Sequence, residues 1–269
     1  MSEQRDKNLW IFNAGNSFAG NPKWMFEYII RHHKEIKPVW MCYNADTMNY
    51  VHKLGYEAEL YHSSKGKSVM AKAGVYVVEM CKEVFQPELT GITVLNLWHG
   101  VGCKSIERKV TDGFLQERIA KKYIQNNDIL RNNQLFLVTS EIMEKHFKEQ
   151  CGIDDDKVIR AGYPRCVVND NIQSYDHDIR KKKGLSANTK LAIYCPTYRD
   201  NNGANFMKSA LPDMKRLAEV LHENNILLIL KMHPLVEKDT QYLAMKEVYR
   251  EHPNFYFWEN EDDVYEIFS

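Results

Sequence analysis

Short runs of β-branched and aromatic residues recur along this chain, each followed by a stretch with helical spacing of apolar positions, and this alternation constrains the fold most. A strand buried on both faces reads as a continuous apolar run, and joining such strands in parallel takes a crossover long enough to hold a helix. Residues 9–12, 39–42, 75–78, 92–97 and 135–138 are runs of this kind. Residues 22–33, 114–124 and 141–149 have helical period, with Asn21 and Pro22 reading as N-cap and first helical residue of the first, and Thr139 or Ser140 as cap of the third. The pattern predicts an α/β fold of doubly wound, Rossmann-like parallel sheets with helices on both faces.

The rhythm breaks after Gly162-Tyr163-Pro164-Arg165 and then restarts. Residues 169–188 are polar and charge-rich, with Lys181-Lys182-Lys183-Gly184 closing a short helix, and read as a linker. Beyond it come strands at 191–194, 226–230 and 255–257, helices at about 207–224 and 238–250, and a helical start at 262–268. The expected organisation is an N-terminal domain over 1–168, the linker, and a second domain over 189–269. With 269 residues and roughly 100 to 200 residues per domain, two domains fit. The second counts only three strands where a doubly wound domain has about five or six, and so reads as incomplete.

Composition removes several classes of function. Thirty-six Lys and Arg balance 36 Asp and Glu, so the chain lacks the cationic surplus of a non-specific nucleic-acid binder. The six cysteines, at 42, 81, 103, 151, 166 and 195, form no Cys-x-x-Cys pair and stand at no zinc-finger spacing to histidine. They read as reduced thiols, with no metal site and no cofactor motif. The charged start, Met1 to Lys7, has no apolar run behind it, and Ile226-Leu227-Leu228-Ile229-Leu230 is far too short to cross a membrane. The expectation is a cytoplasmic protein, at most peripheral on the inner membrane face. Three basic clusters, Lys104/Arg108/Lys109, Arg118/Lys121/Lys122 and Lys181/Lys182/Lys183, could meet anionic lipid, although solvated helix faces have the same composition.

Ligands of open parallel sheets bind beyond the carboxyl ends of the strands, so polar residues directly after a buried run carry most weight. Three places qualify. Trp98-His99-Gly100-Val101-Gly102-Cys103-Lys104 joins a histidine suited to proton transfer with two glycines that let the backbone approach a ligand. Cys195-Pro196-Thr197-Tyr198-Arg199 offers a hydroxyl and a guanidinium suited to phosphate. Lys231-Met232-His233-Pro234 sets a cation beside an imidazole, as a pyrophosphate would require. A fourth segment, Gly162-Tyr163-Pro164-Arg165, places Arg165 at the end of the first domain, either as an anion clamp in an interdomain cleft or as a structural ion pair. Each of these also has a structural reading: a packed histidine, a strand-terminating proline, a hydrogen-bonded turn.

Taken in order, Asn21-Pro22-Lys23, Trp98-His99-Gly100, Thr139-Ser140-Glu141, Gly162-Tyr163-Pro164-Arg165, Pro196-Thr197-Tyr198-Arg199 and Lys231-Met232-His233-Pro234 resemble the CDP-glycerol glycerophosphotransferase family over essentially the whole chain. These are the teichoic acid primases and polymerases of bacterial envelopes. The resemblance implies a GT-B-like architecture, two Rossmann-like domains facing across a cleft, with acceptor on the first and CDP-alcohol donor on the second. It implies His99 as general base on the acceptor hydroxyl, Arg165 as the arginine of the Gly-x-Pro-Arg motif, and Pro196 with Thr197 lining the donor site. Lys231, Met232 and His233 would lie beside the donor pyrophosphate, His233 countering charge on the leaving CMP. Gly100, Val101, Gly102, Cys103, Lys104 and Arg199 complete the candidate binding set. The implied partners are CDP-glycerol or CDP-ribitol, a lipid-linked or poly(polyol phosphate) acceptor, and the cytoplasmic membrane surface.

Two departures stand out. The family pattern His-Gly-Thr-Pro-Leu-Lys is here His99-Gly100-Val101-Gly102-Cys103-Lys104, and Cys166-Val167 follows Arg165 where the family has Asn-Asp. These leave glycerol, ribitol and other polyol phosphates open as cargo. The family also continues into a strand and an Asp-Tyr-Ser-Ser segment, so the resemblance implies a C-terminally short member. Two other readings compete: a GT-B glycosyltransferase using a nucleotide sugar, and a truncated non-catalytic homologue that binds without turnover.

Overall fold

The computed structural model describes residues 5–80, 86–102, 105–110, 114–125, 133–166, 179–196, 209–233, 236, 239–258 and 263–267. The chain forms two compact units, Met1–Asp170 and Asn171–Ser269.

The first unit is a seven-stranded parallel sheet in the order β3-β2-β1-β4-β5-β6-β7. Its strands are β1 (Asp6–Asn13), β2 (Lys37–Cys42), β3 (Ala58–Leu60), β4 (Ala73–Val78), β5 (Thr93–Asn96), β6 (Gln134–Val138) and β7 (Val158–Arg160). The connecting helices are α1 (Gly20–His32), α2 (Ala45–Lys53), α3 (Ser64–Lys72), α4 (Phe114–Gln125) and α5 (Glu141–Cys151). β2 and β3 run outward to one side of β1 and β4 to β7 to the other, so the direction of winding reverses between β1 and β4. Ligands of doubly wound folds bind at this switch, beyond the carboxyl ends.

Successive side chains of a strand point to opposite faces, and the register lines up like with like. Phe12 pairs with Trp40, and together with Phe18 and Phe26 they form an aromatic core on one face, with Phe18 and Trp40 centroids 4.6 Å apart. Ile11, Met41, Met70, Tyr76 and Val94 form the core of the other face. Cys42, buried under this sheet, has its thiol pushed up to about 12 by burial and by Glu59, which makes it chemically inert. Local signals act where the sequence places them: Ser140 Oγ accepts from Met143 N at 3.3 Å and caps α5, and Gly152 ends it in the left-handed conformation.

The second unit, among the described residues, carries β8 (Lys190–Tyr194), β9 (Ile226–Leu230) and β10 (Phe255–Phe257) in the parallel order β10-β9-β8. Its helices are α6 (Ile179–Lys182), α7 (Met214–Glu223) and α8 (Thr240–Tyr249). Leu227 and Ile229 pack with Ile179 and Trp258 on one face, and Leu230, Phe255, Phe257 and Tyr242 on the other. Of the helix expected from about residue 207, Ser209 and Ala210 are helical, residues 211–213 interrupt it, and it resumes at Met214, where Asp213 Oδ1 accepts from Arg216 N at 2.8 Å as a cap. The helical turn expected at 262–268 is a 3₁₀ turn over Val264–Ile267. No helix among the described residues is long and apolar enough to cross a membrane.

Phe12 has no exposed surface and touches Phe26 edge-on at 5.2 Å. Phe12→Ala is expected to destabilise the first unit by about 3–5 kcal/mol, read from the urea midpoint at unchanged slope.

Candidate active site

The His-Gly turn is built where β5 ends. Leu97 N donates to Val78 O at 2.7 Å, so the chain leaves β5 still in register with β4. Asn96, buried at the end of the strand, accepts from Trp98 N at 3.0 Å through Oδ1 and donates to Gln134 Oε1 at 3.2 Å through Nδ2. Trp98 then takes a φ of 54°, the left-handed region that a bulky aromatic residue rarely occupies. Such a conformation costs roughly 1–3 kcal/mol and persists only where its surroundings over-determine it. Asn96 fixes the Trp98 N–H, Asn21 Nδ2 donates to the Trp98 carbonyl at 2.7 Å, and Phe136 and Phe147 pack against the indole. The next residue, His99, is solvent-exposed, with its ring stacked on Trp98 at 4.5 Å and 23°.

The Gly-Tyr-Pro-Arg turn clasps this loop. Tyr163 Oη donates to Gly100 O at 2.8 Å, and Arg165 Nη2 donates to His99 O at 2.6 Å. The Arg165 guanidinium lies 5.6 Å from the Tyr163 ring centroid, a cation–π arrangement that limits its swing. Although part of His99 meets solvent, burial of its ring lowers its pKa from the ordinary 6.5, and the Arg165 cation lowers it further; Glu107 acts in the opposite direction. The result is an imidazole held neutral below the usual range, beside a fixed cation.

Asn21 is not the cap of α1. The helix begins at Gly20, and the cap residue Ala19 makes no side-chain hydrogen bond. Asn21 is completely buried, its side chain engaged by Trp98 O and by Arg165 N, which donates to Oδ1 at 3.3 Å. A tertiary demand has overridden a local preference. The open end of α1 is met instead by Glu79, whose Oε2 accepts from Asn21 N at 3.3 Å. Gly20, at φ 70°, is required here, since a Cβ would overlap the Glu79 carboxylate.

The second glycine of the loop is pinned from α5. Gly102 N donates to Met143 Sδ at 3.4 Å, and a Cβ at residue 102 would come within 2.7 Å of His146 Cδ2 and closer to Nε2. Val101 between the glycines is exposed. Cys103 and Lys104 lie outside the described residues. Of the basic clusters, Lys122 is buried and paired with Glu107, so it is not a solvated cation.

In the second unit, β8 and β9 end side by side, Tyr194 opposite Leu230, and Lys231 N donates to Tyr194 O at 3.0 Å. This sets Cys195-Pro196 next to Lys231-Met232-His233. Burial pushes the Cys195 thiol up, and Lys231 pulls it back, a sign that the ammonium reaches this strand end. His233 is exposed, its carbonyl accepting from Val236 N at 2.8 Å in the turn that leads to α8. Met232 has no exposed surface and packs in the core with Leu230 and Phe255, behind the strand end rather than on it. Thr197 and Arg199 lie outside the described residues. No group of three or more His, Cys, Asp or Glu side chains gathers as a metal site among the described residues.

Asn96, Glu79 and His146 were not singled out from the sequence. A signal existed for Asn96, a polar residue inside the apolar run 92–97; Glu79 and His146 act through partners distant in the chain and leave no local pattern.

The family described as CDP-Glycerol:Poly(glycerophosphate) glycerophosphotransferase matches residues 1–269. The teichoic acid poly(glycerol phosphate) polymerase of Bacillus subtilis (strain 168) is 24% identical over 242 residues, covering 84% of this chain and 31% of that protein. The teichoic acid ribitol-phosphate polymerase TarL of Staphylococcus aureus (strain NCTC 8325 / PS 47) is 28% identical over 172 residues, 59% of this chain and 29% of that one. The chain thus spans about a third of the length of these two relatives. Two solved structures of the wall teichoic acid polymerase TagF superpose with a TM-score of 0.73 at 18–20% identity, covering 98% of this chain and 63–64% of the TagF chains. The likeness is one of fold, and it gives the GT-B-like α/β class expected from the sequence.

Gly102→Ala is expected to cost about 1–3 kcal/mol by crowding His146, and Gly102→Ala with His146→Ala to recover part of that loss. A double-mutant cycle on urea midpoints should read a coupling above about 0.5 kcal/mol.

Proposed function

Because the chain belongs to the CDP-glycerol:poly(glycerophosphate) glycerophosphotransferase family, we propose that it moves glycerol phosphate, or another polyol phosphate, from a CDP-alcohol to a hydroxyl of a lipid-linked or polymeric acceptor in teichoic acid or capsule-type envelope synthesis. The observation that carries this reading is His99, held neutral and hydrogen-bonded through its carbonyl to Arg165 at the carboxyl ends of the first sheet.

The acceptor hydroxyl attacks the phosphorus that bears the polyol. A new P–O bond forms, the bond to the CMP oxygen breaks with its electron pair leaving on CMP, and the hydroxyl proton passes to His99. A base must be unprotonated to act, and the lowered pKa of His99 supports that role. Arg165 steadies the phosphate charge near the attack. On the second unit, Pro196, Thr197, Arg199 and Lys231 hold the donor with Met232 buried behind them, and His233 counters charge on the leaving CMP; Gly100, Val101, Gly102, Cys103 and Lys104 frame the loop around the acceptor. Phosphoryl transfer depends chiefly on such positioning and electrostatics. The relatives include both glycerol-phosphate and ribitol-phosphate polymerases, so both CDP-alcohols are candidate donors. The same reading has the chain meet its acceptor at the cytoplasmic membrane face as a peripheral protein.

The full-length protein, supplied with CDP-glycerol or CDP-ribitol and a polyol-phosphate acceptor, is expected to release CMP, and His99→Ala to slow release by on the order of 10²–10⁴. Absence of CMP from every CDP-alcohol would defeat the assignment. The rate should rise with pH to a plateau, with its midpoint below the 6.5 of an ordinary histidine. Removing the cation with Arg165→Gln should move that midpoint upward, because the imidazolium loses a repelling neighbour.

A further inference from the structure

The Asn21 side chain bonds both motifs of the first unit. Its Nδ2 donates to Trp98 O, the carbonyl directly before His99, and its Oδ1 accepts from Arg165 N. No surface of Asn21 is exposed, so neither bond competes with bulk water. Its own amide is tied to Glu79 at the end of β4. From this geometry we infer that Asn21 is a positioning residue, which locks His99 and Arg165 into one body so that the proton acceptor and the phosphate-facing cation keep a fixed separation. The inference rests on the proposed roles of those two residues.

Three features support it. Trp98 is in a left-handed conformation that needs outside support, and Asn21 supplies it on the carbonyl side while Asn96 supplies it on the amide side. Arg165 reaches His99 O through Nη2, so its backbone and its guanidinium are both tied to the same loop, the first through Asn21 and the second directly. The backbone of α1 meets the turn over Pro164–Cys166, so a helix otherwise committed to the core carries the lock. Among the described residues, the charged groups acting on His99 are Arg165, which lowers its pKa, and Glu107, which raises it. With Asn21 truncated, Trp98 loses its carbonyl partner and Arg165 its backbone anchor, so the cation can drift from the imidazole while Glu107 stays.

The test uses the full chain labelled with ¹³C-histidine, with the His99 resonance assigned by its disappearance in His99→Gln. In Asn21→Ala the His99 midpoint should rise toward 6.5, and CMP release should fall by on the order of 10- to 100-fold in kcat with KM changed less. Asn21→Ser, which keeps one small hydrogen-bonding group, should fall between wild type and alanine and serves where alanine does not fold, folding being checked by the melting transition. A folded variant whose His99 midpoint matches wild type overturns the inference, whatever its activity. A shifted midpoint in a chain that releases no CMP from any donor keeps the lock and removes the proposed reaction.

Discussion

A parallel sheet covered on both faces has its backbone hydrogen bonds satisfied between strands and its side chains enclosed, which leaves polar chemistry only where strands end. The rest of the structure follows from this constraint. In the first unit the apolar registers of β1, β2 and β4 pack two opposite cores, and the functional candidates gather one or a few residues past β4, β5 and β7. In the second unit the same logic sets Pro196 beside Lys231 through the pairing of β8 with β9.

What turns a strand end into a site is a small set of buried amides. Asn96 and Asn21 hold the Trp98 peptide from both sides, and Tyr163 and Arg165 close over the two carbonyls that follow. A buried polar group without a partner is expensive, so each of these bonds is hard to release once formed, and the loop they hold has little freedom. His99 inherits its electrostatic state from this rigidity: the burial of its ring and the nearness of Arg165 both push it toward the neutral form.

The strands at 9–12, 39–42, 75–78 and 135–138 were legible because enclosed strands are continuous apolar runs, and the cap at Ser140 follows a rule local to a few residues, whereas the cap at Asp213 was hidden inside a longer helical pattern. β3 and β7 escaped notice because Ala58-Glu59-Leu60 and Val158-Ile159-Arg160 each carry a charge in a three-residue strand, unlike the wholly aromatic Phe255-Tyr256-Phe257, and α2 and α3 because their apolar positions are few. The His-Gly and Gly-Tyr-Pro-Arg motifs could be read as motifs, but not their mutual bonding, which depends on residues far apart in sequence. Asn21 shows the limit most clearly: beside Pro22 it reads as a cap, yet the fold recruits its amide for two distant backbones. The close approach of His146 to Gly102 belongs to the same class, since an absent side chain leaves no trace of what fills its place.

The strand order carries a consequence for how the first unit comes into being. β1 lies inside the sheet, and one of its two neighbours is β4, with Ile11 opposite Tyr76. A chain made from its N-terminus therefore delivers this inner strand first and must wait for β2, α2, β3 and α3 before the other edge of that strand is covered. Parallel pairings of such sequence separation carry a loop-closure cost before they yield any contact, so assembly is governed by non-local encounters and proceeds slowly. During that interval the bare edge of β1, rich in Trp10, Ile11 and Phe12, is the stretch most open to pairing with another nascent chain.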